Sequence, residues 1–125
     1  MRHMVLVLGL LPAAALAGED MIARYGGLLE QCYGEADDRA ARELCIGLLS
    51  GTCIREEDAG NSTLGIAQCN YSEGRFWDGL LNDEYRQSMV WAKSMDADEA
   101  VYFPEYANLA NSLRAAQRAW ITFRD

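Results

Sequence analysis

Four cysteines, Cys32, Cys45, Cys53 and Cys69, fall between positions 32 and 69 of a 125-residue chain. Their chemistry depends on the redox compartment, and the N-terminus bears on that. MRHMVLVLGLLPAAALA places Arg2 ahead of an apolar run from Met4 to Leu11 and ends on Ala15-Leu16-Ala17. This is the layout of a secretory signal peptide, with cleavage expected after Ala17. The apolar run is short for a membrane-spanning helix, and Pro12 interrupts it. Residue 18 is Gly rather than Cys, so the lipid-attachment residue of a lipoprotein leader is missing. The expected organisation is a leader at 1–17 and one domain at 18–125, exported to the periplasm or the medium, with no stable membrane anchor after cleavage.

In an oxidising compartment the four cysteines read as two disulfides. Three pairings are open. Cys32–Cys45 with Cys53–Cys69 is preferred because each pair spans a nearest turn, although Cys45 lies well past its turn. A zinc site is a poor alternative: the sequence has no CxxC pair, and its one histidine, His3, lies in the leader. No metal site and no cofactor are expected.

Four stretches carry helical periodicity and none alternates like a strand. The first is Glu19–Tyr33, with Ile22, Tyr25, Leu29 and Cys32 at helical spacing and Gly34 as terminator. The second, Asp37–Cys53, has Ala41, Leu44, Cys45, Leu48, Leu49 and Thr52 on one face. The third, Ser62–Met95, is capped by Ser62 or Thr63. Its face runs Ile66, Cys69, Phe76, Trp77, Leu80, Leu81, Tyr85, Ala92, Met95. The fourth starts near Pro104, a residue suited to a first helical turn, and follows Tyr106, Leu109, Leu113, Ala116, Trp120 and Phe123. Short connections between such helices predict an all-α fold, a small disulfide-stapled bundle of about four helices.

Some polar residues interrupt these faces. Glu73 lies in line with Ile66, Cys69 and Phe76, where a buried carboxylate needs a partner. Asp78, Asn82 and Tyr85 form a polar strip on the third helix, and Gln117, Trp120 and Arg124 a matching strip on the fourth. The expected network pairs Arg124 with Glu73 or Asp78 in a buried ion pair and brings Gln117 near Asn82. Glu73 and Asp78 also invite a reading as an acid/base pair acting on a glycan. No motif with catalytic mechanics supports it, and a histidine-based hydrolase is excluded once the leader is removed. No catalytic residue is expected.

The formal charge is −8, and from Gly18 onward it becomes −9, because Arg2 is lost and all nineteen acids stay. Nucleic acid and anionic membranes are repelled by such a chain, and a cationic partner is attracted.

Cys69-Asn70-Tyr71-Ser72-Glu73, then Trp77-Asp78, Leu81-Asn82 and Tyr85, and finally Leu113, Ala116-Gln117-Arg118-Ala119-Trp120 and Phe123-Arg124-Asp125 resemble the LprI-type lysozyme inhibitor domain. The resemblance runs from about Cys32 to Asp125. It implies a helical, disulfide-bonded domain in the cell envelope or outside it, and inhibition of lysozyme, a strongly basic enzyme. Lipoprotein members carry a lipid-attachment cysteine that this chain lacks. Related sequences continue past the FRD with a further cysteine, which implies a chain truncated at its C-terminus in which one cysteine lacks its mate.

Because the motif residues read as helix packing, the acidic breaks are the better contact candidates: Glu56, Glu57 and Asp58, then Asp96, Asp98 and Glu99. Protruding acids can steer toward a basic enzyme and block its cleft. The function expected is inhibition of lysozyme or a similar basic glycan hydrolase. The alternative is a structural or accessory envelope protein with another partner.

Overall fold

The computed structural model describes residues 13–125, with side-chain environments from Asp20 onward. The charged and apolar regions of the expected leader, Arg2 and Met4–Leu11, lie outside the described residues. Those described form helices joined by turns and irregular connections, with no strand among them: α1 (Ala13–Glu35), α2 (Arg39–Glu43), α3 (Leu48–Glu56), α4 (Thr63–Glu99) and α5 (Leu109–Arg124), with a 3₁₀ turn at Pro104–Tyr106. They fall into two compact units, one up to Trp77 and one from Asp78 to Asp125, and α4 contributes to both.

The second periodic stretch is two helices rather than one. Asp38 starts α2 by accepting the Ala41 N–H at 2.8 Å. The helix then gives way to a turn over Leu44–Gly47, and Gly47, at φ +88°, occupies the left-handed region that favours glycine. The apolar pattern runs on across this break, which is why spacing alone merges the two helices. Leu44, placed by spacing on the core face, is exposed in the turn.

The first unit is built on Leu29 of α1, Cys45, and Leu49 of α3, all fully buried, with Ile22, Tyr25, Leu48, Phe76 and Trp77 packed against them. Burying each leucine contributes about 1.5–3 kcal/mol. So small a core is reinforced covalently. Cys32 joins Cys45, linking α1 to the turn after α2, and Cys53 joins Cys69, linking α3 to α4, with Cα separations of 5.9 and 5.7 Å. Closing loops of this length restricts the unfolded chain by about 3 kcal/mol each. All four cysteines are paired, so the expectation that one lacks a mate does not hold.

Between α3 and α4 the chain turns tightly. Ser62 caps α4, its Oγ accepting the Gly65 N–H at 3.0 Å while its hydroxyl donates to the Ala59 carbonyl at 2.7 Å. Gly65 is required there, because a Cβ at this position would collide with the Ala59 carbonyl oxygen.

The second unit packs Met89 and Ala92 of α4 against Ala110 of α5, with Tyr85 and Leu113 partly covering them. Its buried stripe on α5 is Ala110, Leu113 and Gln117 rather than the predicted Tyr106 to Phe123 line. Tyr106 and Phe123 are exposed, and Trp120 keeps 40 % of its surface. The shift follows from where α5 begins. Pro104 opens the 3₁₀ turn, and the helix starts only at Leu109.

Candidate functional site

The carboxylates of α4 divide into those the fold uses and those it leaves free. Glu73 retains 5 % of its accessible surface. One oxygen accepts the Gly47 N–H at 2.6 Å and the Trp77 indole N–H at 3.0 Å; the other accepts the Ser50 N–H at 2.8 Å. Gly47 is the residue before α3 and Ser50 lies in its first turn. Glu73 therefore caps α3 from another helix, satisfying N–H groups that a helix start leaves unpaired and placing negative charge at the positive end of the dipole. Burial pushes this carboxyl upward, but the Ser50 N–H, the Trp77 indole and the Gly47 N–H outweigh it and hold it below its ordinary value. A carboxylate held ionised in this way is unsuited to donate a proton as a general acid.

The expected network around Glu73 is therefore different from the one present. Arg124 does not reach it. It pairs with Asp78, the other expected partner, at 2.8 Å, and its guanidinium lies 5.0 Å from the Trp120 ring centroid. The pair is not the buried one expected: its side chains are 41 % and 42 % exposed. No hydrogen bond joins Gln117 to Asn82. Gln117 is half-buried, Asn82 is exposed, and Tyr85 packs its ring against the Met89 cluster.

Asp96 repeats the device of Glu73. Its two oxygens accept the N–H groups of Leu109 and Ala110 at 2.7 and 2.9 Å, so it caps α5. Asp98 and Glu99, on the last turn of α4, are exposed and make no side-chain hydrogen bond among the described residues. In the other acidic segment Glu57 is half-buried and accepts hydrogen bonds from the Tyr25 hydroxyl and from Arg24, both at 2.7 Å. The Tyr25 bond first, then the Arg24 bond, lower its pKa. Glu56 and Asp58 remain exposed. Of the six candidate contact acids, Glu57 and Asp96 are thus committed within the fold, and Glu56, Asp58, Asp98 and Glu99 are free.

Hollows lie on the described surface of the first unit. An open groove of ≈ 740 Å³ is lined by Tyr33, Arg39, Arg42, Glu43, Ile46 and Trp77 among others. Its cations are engaged internally: Arg42 stacks 4.9 Å from the Tyr33 ring centroid and Arg39 bonds Glu43 at 2.9 Å. A smaller hollow of ≈ 390 Å³ borders Glu56, Asp58 and Leu64. Among the described residues no group of three or more His, Cys, Asp or Glu side chains is placed to hold a metal ion, and no helix is long and apolar enough to cross a membrane.

Sequence reasoning missed the aromatic residues after α4. Tyr102, Phe103 and Tyr106 are exposed in the segment that joins Glu99 to α5. The signal is present as VYFPEY, an aromatic run in a connection where polar turn residues are usual, but Pro104 also suits the first turn of a helix, and periodicity then puts Tyr106 on its apolar stripe.

No curated protein and no solved structure matches the chain. A family profile described as Lysozyme inhibitor LprI matches residues 53–125. That span begins at Cys53 and takes in the Cys53–Cys69 disulfide, Glu73 with Trp77, the Asp78–Arg124 pair and both helices of the second unit; Cys32 and Cys45 precede it. Over more than half its length, therefore, the chain belongs to the LprI lysozyme-inhibitor family.

Proposed function

We propose that the protein is exported and inhibits lysozyme, or a similarly basic glycan hydrolase, by binding it through acidic surface. The family match over residues 53–125 carries this reading. Charge supports it: a chain of formal charge −8 accelerates encounter with a basic enzyme and repels nucleic acid and anionic membranes. The two disulfides agree with an oxidising compartment. The leader at 1–17 would be removed after Ala17, leaving a domain from Gly18 onward without an anchor. The protein acts by occupying its target, with no catalytic residue and no cofactor of its own.

The experiment is a lysozyme cell-lysis assay with the purified protein added at low and high salt. Inhibition at low salt that weakens as salt rises is the expected outcome, because screening shortens the reach of the acidic surface. No inhibition and no detectable complex at low salt contradict the reading and leave the role to an accessory envelope function with another partner.

A further inference from the structure

The segment joining α4 to α5 shows a kind of exposure that solubility does not explain. Val101, Tyr102, Phe103 and Tyr106 retain 72, 78, 53 and 70 % of their accessible surface. Single exposed apolar side chains are ordinary, whereas several gathered in one short segment mark an interaction site. Trp91 and Met95 are also exposed, one turn apart on α4.

The segment is also held in shape. The Tyr102 and Phe103 N–H groups both donate to the Glu99 carbonyl, at 3.0 and 2.8 Å, and the Tyr106 N–H donates to the Phe103 carbonyl at 3.0 Å. The Phe103 and Tyr106 rings lie against one another with centroids 6.3 Å apart. Asp96, just ahead of the segment, bonds Leu109 and Ala110 just after it and so clamps both ends. A surface fixed before binding loses little conformational entropy on docking, and tyrosines supply wide contact at small entropic cost.

Its charge selects the partner. From Ser94 to Leu113 there is no lysine or arginine, while Asp98, Glu99 and Glu105 flank the aromatics with free carboxylates. The segment at Glu56–Asp58 lacks both properties, since Arg55 adjoins it and no aromatic residue lies within it.

We propose that the aromatic turn Val101–Tyr106, rimmed by Asp98, Glu99 and Glu105 and clamped by Asp96, is the surface that seats against the basic cleft of the inhibited enzyme. This rests on the inhibitor reading above. The aromatics supply the buried centre of the contact, and the acids supply steering and a polar rim. Asp96 is a positioning residue that touches no partner.

The test measures binding of the full protein to a basic lysozyme for the wild type, Tyr102→Ser, Tyr102→Ser with Phe103→Ser, Asp98→Asn with Glu99→Gln, and Glu56→Gln with Asp58→Asn. Thermal melts check that each variant is folded, and Tyr102, which has no ring partner, provides a single substitution that leaves the turn intact. We expect Tyr102→Ser to weaken binding on the order of 10-fold and the aromatic pair about 100-fold, in the range of interface anchor residues. The Asp98/Glu99 variant slows association and flattens its salt dependence, and the Glu56/Asp58 variant binds as the wild type does. In the wild-type complex, hydroxyl-radical footprinting protects Tyr102 and Phe103. Wild-type binding with folded aromatic variants binding equally well, or with Tyr102 and Phe103 still reactive, overturns this assignment and leaves the inhibitor reading standing. Absence of wild-type binding to any basic glycan hydrolase overturns both.

Discussion

Glu73 shows how much of this chain depends on one side chain. Its carboxylate satisfies two backbone N–H groups at the start of α3 and the Trp77 indole; the Ser50 bond is buried and the other two are part-buried. Glu73→Ala leaves those donors unpaired and is expected to cost about 2–4 kcal/mol in denaturant unfolding. The same contacts set an acid limit. Folding lowers the pKa of Glu73 and of Glu57 below the ordinary glutamate value of 4.5. The stability tied to their ionisation is thus complete above about 4.5 and lost as pH falls through the lower folded values. Melting temperature should fall with acidification in that window, and Glu73→Gln should flatten the fall. Arg124 is the contrasting case. Its pair with Asp78 is about two-fifths exposed on both sides, so Arg124→Met should change stability by less than about 1 kcal/mol. A loss of several kcal/mol would mean that the pair is shielded from water.

At the scale of elements, α4 organises both units through carboxylates aimed at the starts of other helices, Glu73 at α3 and Asp96 at α5. Asp96→Ala should cost about 1 kcal/mol, as for loss of a helix cap, and should increase amide exchange at Leu109 and Ala110. Unchanged exchange there would remove Asp96 as the clamp of the aromatic turn. The helices themselves were legible in the sequence because apolar residues recur every three to four positions. Their breaks were less so. Gly47 interrupts a continuous apolar face because Glu73, distant in sequence, takes the N–H groups of a new helix start. Pro104 satisfies the rule for a first helical turn, yet the helix waits for Asp96 to cap it five residues later, and this moves Tyr106 from the predicted core to the surface. Spacing reports which residues share a face; it does not report which side chain, brought near by the fold, will start or stop a helix. For the same reason Glu57 and Asp96 read as free surface acids in the sequence, while in the structure hydrogen bonds to Arg24 and Tyr25, and to the Leu109 and Ala110 N–H groups, engage them within the fold.

At the scale of the whole molecule, the chain carries a small buried core, two disulfides, a large net negative charge and membership of an inhibitor family. The disulfides and helix caps hold the elements with little apolar burial, which leaves aromatic side chains available for a partner. The family relation was legible in the CxxxE, WDxxLN and LxxAQRAWxxFRD stretches, in which Cys69, Glu73 and Trp77 serve packing and capping while Trp120 and Phe123 keep much of their surface exposed. Glu73 and Trp77, the most recognisable of them, face each other across a hydrogen bond. The measurement that tests the inhibitor reading most directly is calorimetric titration of the protein into a basic lysozyme at low and at high salt. The account predicts a saturable complex at low salt that weakens steeply as salt rises, together with inhibition of cell lysis over the same concentrations. No heat of binding and no inhibition at low salt, with the protein folded and both disulfides intact, would contradict it.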